Sequence, residues 1–177
     1  MPTLRRIAAA LLVALTAAPV VAQSPVSPPP APCKDKPDYH RFDFWLGNWR
    51  VTAPNGTQVG TSHVDVVSGG CALLENWRAM NGSEGKSLNT FDPAARQWRQ
   101  FWVGQGGGVT DYRESEWHDG GVSFFVRMPA ANDRPGAIMR LTFTPLDSGD
   151  VRQHSEISSD GGKTWTTQYD FHYHRMP

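Results

Sequence analysis

From Trp49 onward, apolar and polar residues alternate in short runs broken by Gly, Pro, Asn and Asp. The runs predict strands over residues 48–53, 58–67, 72–80, 86–91, 97–103, 109–118, 122–128, 137–145, 151–158 and 164–175. Connections such as Pro54-Asn55-Gly56, Asn81-Gly82, Asp119-Gly120-Gly121 and Asp160-Gly161-Gly162 have the positive-φ chemistry of hairpin turns. No helical period intervenes, so the spacing predicts an antiparallel meander. Its end strands would expose unpaired backbone unless the sheet folds over or closes, and closure removes the edges altogether. The expected fold is therefore all-β: a meander of about ten strands closed into a barrel.

Alternation also assigns faces. Trp98, Gln100 and Trp102 share one face of their strand, and Trp165, Thr167, Tyr169, Phe171, Tyr173 and Arg175 share one face of the last. These aromatic faces are expected inside, with Asp170, His172 and His174 meeting solvent.

The N-terminal residues read differently. Arg5 and Arg6 precede an apolar run too short to span a bilayer, and Val20-Val21-Ala22 offers a small-residue cleavage site. Residues 1–22 are thus expected to be a signal peptide directing the chain to the periplasm or outside the cell. Residues 23–40, rich in Pro and Ser at their start, read as a disordered leader, and 41–177 as the barrel domain. Removal of the first 22 residues leaves 177 − 22 = 155 and shifts the charge balance from 17 − 17 = 0 to 15 − 17 = −2. That length suits one domain, and so neutral a surface offers no electrostatic footprint for nucleic acid. In an oxidising compartment Cys33 and Cys71 suggest one disulfide, the alternative being two free thiols.

Six motifs occur in register across residues 40–175: Phe42-Asp43-Phe44-Trp45-Leu46-Gly47-Asn48-Trp49, Gly70-Cys71-Ala72-Leu73-Leu74-Glu75-Asn76-Trp77, Gly85-Lys86-Ser87-Leu88-Asn89-Thr90-Phe91-Asp92-Pro93, Trp98-Arg99-Gln100-Phe101-Trp102-Val103, Val151-Arg152-Gln153 and Asp160-Gly161-Gly162-Lys163-Thr164-Trp165, followed by a terminal Tyr-x-Arg. They resemble a family of bacterial secreted domains of unknown function. More distantly the chain is similar to the calycins, which include lipocalins, fatty-acid-binding proteins and nitrobindins. The lipocalin resemblance implies that Trp49, in Gly47-Asn48-Trp49, plugs one barrel end with Arg175 packed over its ring. Nitrobindins bind haem through a late histidine, which would point to His172 or His174; their Gly-x-Trp-x-Gly-x-Gly run is replaced here by Gly47-Asn48-Trp49-Arg50-Val51-Thr52.

Ser158 to Trp165 fits an Asp-box, whose physical content is a hairpin: Asp160 holds turn amides and Trp165 anchors the next strand. His172 and His174 have chelate spacing, but two histidines on a solvent face read as surface residues, and no metal set is assigned. Glu75 shares a face with Leu73 and Trp77, which would bury a carboxyl among apolar residues. Gln100 and Arg140 are comparable polar residues in apolar strands, with Gln153 and Glu156 as possible partners. The expected function is binding of a small apolar molecule inside the barrel. Its walls would be Trp77, Trp98, Trp102 and Phe124, with Glu75, Gln100 and Arg140 orienting the ligand. The alternatives are an enzyme using Glu75 as acid or base, haem binding, or a filled barrel without a cavity.

Overall fold

The computed structural model describes residues 31–130 and 135–177; the expected signal peptide and the first leader residues lie outside them. Eleven strands follow in order: β1 (Gly47–Thr52), β2 (Gln58–Val67), β3 (Ala72–Ala79), β4 (Glu84–Asp92), β5 (Gln97–Gly104), β6 (Val109–Tyr112), β7 (Glu114–His118), β8 (Gly121–Met128), β9 (Ala137–Pro145), β10 (Val151–Ser158) and β11 (Thr166–Arg175). They form a single antiparallel sheet in the order β6-β5-β4-β3-β2-β1-β11-β10-β9-β8-β7. Only the β1–β11 pairing joins the chain ends; every other neighbour is a hairpin partner, as short turn-rich connections dictate.

The expected strand over 109–118 is two strands. It pairs with β5 through Tyr112 and with β8 from Glu114 onward, changing partner at Arg113. The two sheet edges therefore meet in one bent segment, and the seam is stitched where the Trp98 amide donates to Ser115 Oγ at 3.1 Å. The result is a nearly closed barrel. Alternation along 109–118 carries no information about which neighbour each half pairs with, so the break was not readable.

A second departure lies in β11. Ser155 pairs with Tyr169 but Glu156 with Thr167, so Gln168 is an extra residue. Such a bulge exchanges the faces on its two sides. Tyr169, Phe171 and Tyr173 face inward, whereas Thr167 bonds His154 on the outer face at 2.9 Å and Trp165 stacks there beneath Arg140. The inward positions expected for Trp165 and Thr167 are corrected accordingly.

One barrel end is filled by aromatic residues. Phe42, Trp45, Trp49, Trp98, Phe124 and Phe143 are almost wholly buried. Phe42 stacks on Trp45 at 5.1 Å and meets Trp98, Phe124 and Phe143 within 5.7 Å. Trp49 pairs in register with Arg175, whose guanidinium lies 4.3 Å over the indole and donates to the carbonyls of Leu46 and Phe44 at 2.8 and 3.3 Å. Gly47 makes room: a Cβ there would lie 2.7 Å from the Arg175 guanidinium, and its φ of +126° suits glycine. The last leader residues belong to this plug rather than to a disordered tether. Cys33 is buried in a disulfide with Cys71, Pro37–Tyr39 form a 3-10 turn, and Trp98 Nε1 donates to the Asp38 carbonyl at 2.9 Å.

Candidate functional site

Above the plug, the barrel encloses a cavity of about 420 Å³ that opens toward the opposite end. This volume falls within the range of about 300–1,000 Å³ usual for small-molecule sites. Strand direction explains the asymmetry. β1, β3 and β5 run away from the plug and end at turns carrying Gly56, Gly82 and Gly107, where no plug segment follows.

Inward positions on five strands line the apolar wall. Val59, Trp77 and Ala79 come from β2 and β3, Trp102 from β5, Met139 and Leu141 from β9, and Tyr169 and Phe171 from β11. Trp77 and Phe171 lie nearly parallel, 5.9 Å apart, and Tyr169 continues the stack at 4.6 Å. Two glycines set the tryptophan poses. A Cβ on Gly60 would lie 2.7 Å from the Trp77 ring, and one on Gly85 would collide with the Trp102 ring. The edge of each indole thus occupies the space that a side chain on the neighbouring strand would need.

A polar belt crosses this wall, one side chain passing to the next around the barrel. Gln100 Nε2 donates to Asn89 Oδ1 at 2.8 Å. Asn89 Nδ2 donates to Ser87 Oγ at 3.0 Å and lies 3.4 Å from the Leu73 carbonyl. A carbonyl can only accept, so that contact orients the Asn89 amide and hence the direction of the chain. With its oxygen accepting from Asn89, Ser87 donates its proton to Glu75 Oε2 at 3.0 Å, while Ser62 donates to Oε1 at 2.9 Å. Beyond the carboxyl, Tyr173 Oη lies 3.4 Å from Glu75 Oε1 and 3.0 Å from Gln153 Oε1. The hydroxyl has one proton to offer these two acceptors, Gln153 being the nearer.

Glu75 is 2% exposed and no cation lies in the belt. Burial pushes its carboxyl up to about 7, against the lowering effect of the hydrogen bonds from Ser62, Ser87 and Tyr173. Burial likewise raises Tyr112 to about 12 and holds Tyr169 and Tyr173 well above the ordinary tyrosine range, with neighbouring Glu75 contributing to both of the latter. The cavity therefore contains one group that changes charge near neutral pH, set among phenols that do not.

Of the residues expected to bind a ligand, Glu75, Trp77, Gln100 and Trp102 line the cavity together. Trp98 and Phe124 lie below it in the plug. Arg140 is on the other face: its guanidinium donates to Glu156 Oε2 at 2.9 and 2.7 Å and stacks over Trp165 at 4.1 Å. The strand itself carries the reason, since Met139 and Leu141 face inward and an intervening residue cannot. Glu156 is consequently no partner for Glu75, whereas Gln153 joins the belt through Tyr173. Tyr112, absent from the residues expected to bind, lines the wall with Thr110, two positions before it on β6.

His172 and His174 lie on the outer face of β11, His174 between Thr52 Oγ1 and Asp150 at 3.0 Å each. Neither reaches the cavity. Among the described residues no group of three or more His, Cys, Asp or Glu side chains is arranged to hold a metal. Asp160 closes the hairpin before β11, its carboxylate accepting from the amides of Lys163 and Thr164 and from the Thr164 hydroxyl at 2.6–3.0 Å. These bonds, the Thr164 hydroxyl first, lower its pKa.

Searched against protein-family models and the sequences of curated proteins, the chain matches none. The motif resemblance therefore names no family for it. What stands is the architecture, a nearly closed antiparallel barrel compatible with a calycin-like fold.

Proposed function

We propose that the protein is a calycin-like carrier or sensor, secreted or periplasmic, that binds a small, largely apolar molecule in its barrel. The carrying observation is the pairing of a sealed end with an open one. The aromatic plug closes the floor, while above it an aromatic-walled cavity of about 420 Å³ contains a few converging polar groups. A disulfide between Cys33 and Cys71 is compatible with an oxidising compartment, and no helix among the described residues is long and apolar enough to cross a membrane.

Native mass spectrometry of protein purified from its own host tests the reading. A retained small molecule, absent from an Ala79→Trp variant that narrows the mouth, is the expected result. Clean apo protein that takes up no small apolar compound when challenged would contradict it.

A second reading has one specific observation in its favour. A carboxyl raised to about 7 inside a cavity suits a general acid or base. Under this reading Glu75→Gln abolishes turnover while leaving affinity intact; under the first, the substitution changes affinity and there is no turnover to lose.

A further inference from the structure

Among the described residues Glu75 is the only acid lining the cavity, and no Lys, Arg or His lines it. The groups facing its carboxyl are Ser62 on β2, Ser87 on β4, Gln153 on β10, and the phenols of Tyr112, Tyr169 and Tyr173 on β6 and β11. The cations on the adjoining strands are engaged outside: Arg78 with Glu84, Lys86 with Asn76, Arg140 with Glu156 and Arg152 with Asp170. A buried carboxylate with no counter-charge is among the costlier arrangements a fold can hold.

The belt is nevertheless oriented for the ionised form. Donation runs from Gln100 through Asn89 and Ser87 onto one carboxylate oxygen, and Ser62 donates to the other. Around it stand the rings of Trp77, Trp102, Tyr169 and Phe171, whose faces carry negative quadrupole charge and attract cations. The carboxylate and the ring faces ask for the same partner, a positive charge.

Resting on the binding reading above, we infer that the cavity takes an organic amine as its cation, the ammonium paired with Glu75 and the hydrocarbon body packed against the aromatic wall. A neutral ligand would leave the carboxylate without a counter-charge, and an acid would add a second negative charge beside it. The volume, roughly that of fourteen liquid waters at about 30 Å³ each, suits a body of one or two rings. Binding below neutrality requires the Glu75 proton to leave to solvent, so amine affinity falls as pH falls.

The test is a tryptophan-fluorescence titration of the full chain with three probes of one shape: 1-naphthylmethylamine, 1-naphthalenemethanol and 1-naphthoic acid. At pH 8 the amine should bind at least about tenfold tighter than the alcohol, a modest value for a desolvated charge pair, with the acid weakest. Between pH 8 and 5.5 the amine should weaken toward the level of the alcohol, by at most about the 30-fold that one ionisation near 7 allows, while the alcohol does not weaken. Glu75→Gln should bring the amine to the level of the alcohol. Should that variant not fold, the pH profile of the unaltered protein decides. Equal binding of amine and alcohol, or an amine affinity independent of pH, overturns the amine assignment and leaves the cavity-binding reading standing. If none of the three binds, both fall.

Discussion

Glu75 sits in an environment that opposes its own charge, and this has a consequence for stability. Its carboxyl shifts from 4.5 to about 7 on folding, so between those values the native state binds a proton that the unfolded chain does not. Stability should therefore be highest, as far as this group decides it, below about pH 4.5, and should fall as pH rises until it levels off above 7. The full effect is on the order of 3 kcal/mol, from about 1.36 kcal/mol per unit. Denaturant unfolding at pH 5 and 8 should show this fall, and Glu75→Gln should flatten it and stabilise the protein at pH 8. A variant no more stable than the parent at pH 8 would contradict the burial argument. Gly85 offers a second test at this scale. Because a Cβ there collides with the Trp102 ring, Gly85→Ala should cost about 1–3 kcal/mol and displace the indole. A blue- or red-shifted tryptophan emission would report the movement; unchanged stability and emission would refute the packing account.

At the level of elements, the period-2 pattern located most strands because each carries apolar residues on one face only. It placed Glu75, Trp77, Gln100 and Trp102 inward on the same grounds. It failed where that marker is missing. Thr166, Thr167 and Gln168 are all polar, so nothing in their order reveals the bulge that turns Trp165 outward. Arg140 is a different case: its inward neighbours Met139 and Leu141 were legible, and alternation alone puts it outside. Nor could spacing bring Tyr173 to Glu75, 98 residues away, because that contact exists only once β11 returns to β1. The leader is held to the barrel by Cys33–Cys71, a closure across a sequence separation of 38 residues. Reduction, or Cys33→Ser with Cys71→Ser, should cost about 2–4 kcal/mol by the chain-entropy argument and free Trp98 Nε1 from the Asp38 carbonyl. Thermal unfolding with and without reductant measures this, and an unchanged midpoint would contradict it.

On the scale of the whole molecule, the barrel divides its labour between two ends. The first motif, Phe42 to Trp49, and the terminal Arg175 build a sealed floor, and the polar belt crosses the open half above it. The strand that changes partner at Arg113 nearly closes the sheet, leaving its edges covered by one another rather than offered to another chain. A barrel sealed at one end and hollow at the other is compatible with the proposed binding of a ligand. Calorimetric titration with the neutral probe 1-naphthalenemethanol at pH 5.5, where Glu75 is protonated, tests that most directly. One-to-one saturable binding with a negative heat-capacity change, lost in Ala79→Trp, is the predicted result. Absence of saturable binding, or equal binding by the Ala79→Trp variant, would contradict it.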